Sequence, residues 1–212
     1  QKSDNVLFST VIDTPYTLGT SAGKYIPFYN KDHNEVGYKL KVEHGNTYNT
    51  LTEYTPETNT TSVVLPSGIE YIGHVDSTDD NSNKIFFGNT KLTTFTASGL
   101  KLIDSLEFYG DTDLTSVTLA ESPDSMGTTP WRGCSSLSAV TISNGGTYTS
   151  NIDYGLIYTN DGAEIVEAME ANSATKFELP SGVTKIDDYA FYNCSSLTSI
   201  TIPDSVTSIG NE

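Results

Sequence analysis

Between residues 179 and 212 the chain repeats itself, and no other feature narrows its possible folds as much. LPSGVTKIDDYAFYNCSSLTSIT begins at Leu179, and IPDSVTSIGNE restarts the pattern at Ile202, 23 positions on. Leu179 and Pro180 return as Ile202 and Pro203, Val183 as Val206, and Ile186 as Ile209. A period of this length marks a solenoid, in which each repeat is one supersecondary coil stacked on the next. Weaker copies extend the pattern backwards. Leu197 recurs as Leu92, Leu114 and Leu137, and the aromatic before it, Phe191, recurs as Phe86, Phe108 and Trp131. Ile200 recurs as Phe95, Val117 and Val140. The leucine spacings are 22, then 23, then 60 residues, so an aberrant rung lies between Leu137 and Leu197.

Alternation within the repeat explains why rungs must stack. Around Ser199, Ile200, Thr201 and Ile202 the apolar side chains point to one face and the hydroxyls to the other, as the two-residue period of a strand requires. The inward set of one rung is Val183, Ile186, Phe191, Leu197, Ile200 and Ile202. So few buried side chains do not offset the entropy of ordering 23 residues, and neighbouring rungs must share the core. Phe86, Phe108, Trp131 and Phe191 are therefore expected in single file down a common interior. The aberrant rung reads as a β-hairpin: 152–159, a tight turn at Asn160-Asp161-Gly162, and 163–166. Its strand returns at 175–179, with Phe177 in the place of Ile200. Glu107 stands where the clean repeat has Ala190, Asp111 where it has Cys194, and Pro123 and Met126 where it has Val183 and Ile186. Those rungs are expected to be looser or locally remodelled.

Residues 1–63 do not carry the repeat. Val6-Leu7-Phe8 and the runs at 25–29 and 38–42 read as strands punctuated by Gly19, Gly23, Gly37 and Gly45. We read a small β-rich N-terminal unit or cap over 1–63, joined by a Thr-rich link at 55–62 to a solenoid of about five to six rungs over 64–212, the last incomplete.

The pattern IPDSVTSIG, with AFYNCSSLTSITIP ahead of it, resembles the BspA-like, or Treponema pallidum type, leucine-rich repeats of bacterial surface proteins. The segment YGLIYTNDG resembles an insertion that recurs in that family. The resemblance covers about two thirds of the chain and none of residues 1–63. It implies a β-rich leucine-rich-repeat solenoid with a parallel sheet on one face and short strands and turns on the other. It further implies a protein exported from a bacterium that serves attachment or protein recognition rather than catalysis, with a host extracellular protein as the expected partner.

A net charge of -16 and a pI near 4.3 oppose binding to nucleic acid or anionic membrane by simple repulsion. Arg132 is the only arginine, and no run of 18 apolar residues is present. A start at Gln1 suggests that a leader or an upstream segment has been removed, and a stop in mid-repeat suggests further rungs or end-to-end self-contact.

Cys134 and Cys194 hold the same repeat position with the hairpin rung between them. Two rungs of about 4.8 Å put them roughly 10 Å apart, beyond the roughly 7 Å between Cα atoms that a disulfide spans, so free buried thiols are expected. At the same position Asn89 and Asp111 suit a small side chain that satisfies backbone groups at a turn. On the outward face, Thr96, Thr118, Thr141 and Thr201, with Glu178 in the aberrant rung, should form a polar ladder. This ladder is the candidate binding surface, although Thr also serves simply as a solvent-facing strand residue.

Other chemistry is thin. The oxygen-rich insertion at 74–84 lacks the spacing and terminal Glu of a calcium loop. His33, His44 and His74 are scattered, and no nucleophile elbow or phosphate-binding glycine loop occurs. Asp153 and Glu164 near the hairpin are a weak carboxylate pair, and Asn59-Thr60-Thr61 fits a glycosylation triplet of no meaning in a bacterium. No cofactor or metal is expected. Three roles stand open: a surface interaction or adhesion module, a carbohydrate binder using Tyr25, Tyr29, Tyr38 and Tyr48, and a structural spacer.

Overall fold

A computed structural model describes residues 24–29, 35–44, 49–56, 60–65, 68–73, 84–143 and 145–212. Every regular element among them is a strand. β1 (Lys24–Tyr29), β2 (Glu35–His44) and β3 (Asn49–Pro56) form an antiparallel meander. β3 then pairs in parallel with β5 (Tyr71–Ile72), which pairs with β7 (Leu102–Ile103) and that with β9 (Ser125–Met126). On the other side of each rung β4 (Ser62–Leu65), β6 (Thr94–Ala97), β8 (Ser116–Leu119) and β10 (Val140–Ile142) form a second parallel sheet. Each coil thus contributes one strand to each sheet, and the apolar side chains between the sheets form the core, as expected for a β-rich leucine-rich-repeat solenoid.

The hairpin rung interrupts both sheets. β11 (Tyr148–Asn151), β12 (Leu156–Thr159) and β13 (Glu164–Ala168) run antiparallel. β13 then restarts the parallel order with β15 (Lys185–Ile186) and β17 (Ser208–Ile209), while β14 (Lys176–Glu178) pairs with β16 (Ser199–Thr201). The Asn160-Asp161-Gly162 turn is where expected: Gly162 has φ +73, and Asp161 Oδ1 accepts from Thr159 Oγ1 at 2.6 Å and from the Ala163 amide at 3.0 Å. The first strand differs from expectation. It starts at Leu156, because Asn151 Oδ1 accepts from the amides of Asp153 and Tyr154 and folds 151–155 into an exposed turn.

The buried columns follow the repeat. Val63, Phe95, Val117, Val140 and Phe177 lie at the Ile200 position and are all buried. The register confirms it, with Phe95 opposite Val117, Val117 opposite Val140, and Phe177 opposite Ile200. Phe86 stacks on Phe108 at 4.9 Å and 7°, and Phe108 on Trp131 at 6.2 Å and 14°. The fourth aromatic does not continue the file. Phe191 packs against Phe177 at 5.8 Å in a second core cluster, to which the hairpin rung contributes Ala168 while its Met169 belongs to the first. The clean repeat also overstates its own burial. Ile202 is 43 % exposed, whereas Leu65, Ala97, Leu119 and Leu179 at the same position are buried.

Turn geometry repeats with equal regularity. Gly88, Gly110, Gly133 and Asn193 each stand two residues after the core aromatic, and all have φ between +52 and +81. Glycine and asparagine are the residues that tolerate this left-handed region. The position two before the aromatic is left-handed as well, at Leu106 (φ 56), Thr129 (φ 41) and Tyr189 (φ 59), where the coil geometry overrides residue preference.

Candidate functional site

The outward face of the β4–β6–β8–β10 sheet carries the predicted ladder, and parallel register assembles it. Thr96 lies opposite Thr118, and Thr118 opposite Thr141. Their hydroxyls make no hydrogen bond to another described residue, so three adjacent rungs present free donors and acceptors at the spacing of a parallel sheet. Glu178 and Thr201 pair with each other on the separate β14–β16 sheet. The structure therefore brings together three of the five predicted residues in one sheet and the other two in another, with the hairpin rung between. Around the ladder, Thr93 and Thr115 turn their hydroxyls to carbonyls one rung back, at 2.8 and 3.0 Å, and Thr94 donates to Ser62 at 2.7 Å. These neighbours are consumed by the fold; the ladder is not.

The remaining sequence candidates fall away from any shared site. Glu164 is ion-paired with Lys185, which also contacts Asp187 at 2.6 Å, while Asp153 lies on the exposed turn at 151–155. The insertion at 74–83, His33, His74, Tyr48 and Asn59 lie outside the described residues, as do the side chains of Tyr25, Tyr29, Tyr38 and His44. Among the described residues no three His, Cys, Asp or Glu are grouped to hold a metal, and no helix is long and apolar enough to cross a membrane.

Both cysteines are free. Cys134 is buried and donates its Sγ–H to Phe108 O at 3.0 Å, and Cys194, half-buried, reaches Ala168 O at 3.7 Å. In other rungs the same position bonds the main chain in the opposite sense: Asn89 Oδ1 accepts from the amides of Lys91 and Leu92, and Asp111 Oδ1 accepts from the Asn89 amide at 2.6 Å. Glu107 and Asp111 are both buried within their rung. Glu107 is fully buried and accepts from the Ile85 amide at 2.8 Å. After β9, by contrast, remodelling is visible, since the Met126 amide donates to Tyr148 Oη at 3.2 Å rather than to a further parallel strand.

Sequence reasoning missed a third member of this acidic set. Glu167 in the hairpin rung is buried and points its carboxyl at the Trp131 amide at 3.4 Å, and Glu170 takes the Gly133 amide at 2.6 Å. These carboxyls replace the backbone carbonyls that elsewhere receive such amides, as when Phe108 donates to Pro130 O. The only warning in the sequence was acidic residues at positions the clean repeat keeps apolar or small. Burial pushes Glu107, Asp111 and Glu167 each up to about 8, against the opposing pull of the amide each accepts.

A family model described as the BspA type leucine rich repeat region matches residues 53–154 and 167–212, in six copies. The chain belongs to this family. The unmatched 155–166 coincides with the hairpin, so the BspA-type repeat resumes where the parallel order does. No curated protein matches the sequence. Among solved structures, the Treponema pallidum leucine rich repeat protein is similar at 16% identity and a TM-score of 0.48, over 81% of this chain and 83% of that one. A leucine-rich repeat protein from Eubacterium ventriosum is similar at 16% identity and 0.46, over 82% of this chain. This BspA-type chain spans only 60% of the length of that protein. A leucine rich cell surface protein from Faecalibacterium prausnitzii gives 17% identity and 0.38, over 82% and 71%.

Proposed function

We propose that this chain is a non-catalytic, exported bacterial surface module that recognises a protein partner, such as a host extracellular protein, through the outward face of the β4–β6–β8–β10 sheet. The observation that carries this reading is the in-register Thr96, Thr118 and Thr141 ladder, whose hydroxyls the fold leaves unused while it consumes those of Thr93, Thr94 and Thr115. Open sheet faces of stacked repeats provide extended surfaces of this kind. Glu178 and Thr201 extend the surface beyond the hairpin rung. Residues 1–63 serve as the cap of the solenoid, a role supported by the pairing of β3 with β5.

The test is binding of the labelled chain to cultured epithelial cells, with and without prior protease treatment of the cells. Saturable, protease-sensitive binding is expected, and the Thr118→Lys/Thr141→Lys double variant should lose it while keeping its melting temperature. Equal binding by a folded double variant would sink the assignment to this face.

A further inference from the structure

Arg132 is the only arginine in a chain with 27 Asp and Glu, yet its guanidinium makes no ion pair or hydrogen bond to any described residue. Its Nε is buried without a partner. What holds it is aromatic: Cζ lies 4.1 Å from the Tyr189 ring centroid, 4.2 Å from Tyr192 and 5.8 Å from Tyr109. The repeat builds this arrangement, since Phe87, Tyr109, Arg132 and Tyr192 each follow the core aromatic of their rung. Phe87 extends the column by stacking on Tyr109 at 5.1 Å.

No carboxylate pairs directly with Arg132 among the described residues: Glu167 and Glu170 point at the amides of Trp131 and Gly133, and the Arg132 charge only partly offsets the burial that pushes Glu167 up. Of its nitrogens only Nε is buried without a partner, so the terminal N–H groups reach solvent, and their fork matches the two oxygens of a carboxylate. Around it, the hydroxyls of Tyr109, Tyr189 and Tyr192 have no hydrogen-bond partner among the described residues. Backbone donors on this flank are already taken: Gly88 by Tyr109 O at 2.8 Å, Gly110 by Arg132 O at 3.1 Å, and Tyr189 by Asn211 O at 2.8 Å. A peptide strand would find none of these three donors free to pair with. Net charge of -16 opposes any long or dense polyanion and so restricts the ligand to a short one. A sugar that carries one carboxylate per ring among neutral hydroxyls satisfies all these conditions.

We propose that Arg132, with Tyr109, Tyr189 and Tyr192, forms a binding site for the carboxylate and hydroxyls of a uronic-acid sugar. This site stands on a different flank from the threonine ladder, and neither reading depends on the other.

Calorimetric titration of the whole chain with a galacturonate trimer tests it, against the neutral galactose trimer and an acetylated, amidated Glu-Ala-Glu peptide. Saturable binding of the galacturonate trimer alone is expected, weakened about tenfold or more in Arg132→Gln and in Arg132→Lys, which keeps the charge but not the fork. Tyr192→Phe, which keeps the ring and removes one hydroxyl, should weaken it severalfold and provides the readout if an Arg132 variant melts early. No binding by the unmodified chain, equal affinity in folded Arg132 variants, or tighter binding of the peptide or the neutral trimer would each overturn the site.

Discussion

Asp111 Oδ1 accepts the amide hydrogen of Asn89 at 2.6 Å, across one full rung, while its other carboxyl oxygen is buried with no partner. Glu107 repeats the arrangement four residues earlier, with Oε1 on the Ile85 amide and Oε2 orphaned. An ionised carboxylate with a bare oxygen is costly in such a place, and a protonated one much less so.

Stability should therefore fall as pH rises through the neutral range. With folded values near 8 for Glu107, Asp111 and Glu167, the folded chain keeps protons that the unfolded chain has lost above about 4.5. Between those limits the unfolded state binds fewer protons, so each unit of pH removes stability, and the loss levels off above about 8. Lys84, ion-paired with Asp104 at 2.6 Å, pulls Glu107 the other way but less than burial raises it. Melting temperatures measured from pH 5 to 9 should decline, and the Glu107→Gln/Asp111→Asn double variant should flatten the curve. A flat curve for the unmodified chain would refute the protonated state.

Steric closeness sets a second prediction. A Cβ on Gly127 would lie 2.2 Å from Ser105 N, whereas one on Gly182 would meet nothing within 4 Å. Gly127→Ala should cost about 2 kcal/mol or more, because backbone must move, and Gly182→Ala should fall within about 0.5 kcal/mol of the parent. Urea unfolding of the two variants side by side provides the comparison.

Aromatic stacking between rungs should be the largest single contribution to the first core. Phe108 contacts Phe86, Phe95 and Trp131, and Phe108→Ala should lose about 3 to 5 kcal/mol. Ile209→Ala should lose under about 0.5 kcal/mol, since that side chain is 60 % exposed. Similar losses at the two sites would mean that Phe108 is not in the core.

The thiols should react in order. Burial pushes the Cys194 thiol up to about 12 and Cys134 higher still, and only Cys194 is partly open to solvent. Ellman titration of the native chain should label Cys194 slowly and Cys134 only with denaturant. Two thiols are expected in the denatured, non-reduced chain, and a count of none would reveal a disulfide.

The sequence by itself determined the period, the inward columns at 95, 117, 140 and 177, the turn at Asn160-Asp161-Gly162 and the register of the threonine ladder. All of these follow from local alternation, which any one rung displays. That Val63 joins the column was decided by the structure. What only the tertiary structure decided is where that regularity stops. The sheets break on either side of the hairpin rung, Phe191 joins Phe177 instead of Trp131, and Ile202 stays exposed. Glu107, Asp111 and Glu167 turn into caps for the preceding rung, and Arg132 reaches past the hairpin rung to Tyr189 and Tyr192, 57 and 60 residues on in the chain. The physical reason is common to all of them. A repeat fixes which way each side chain points within its own coil, but which atoms it meets depends on the coil stacked against it, and a long side chain there finds partners that spacing does not encode.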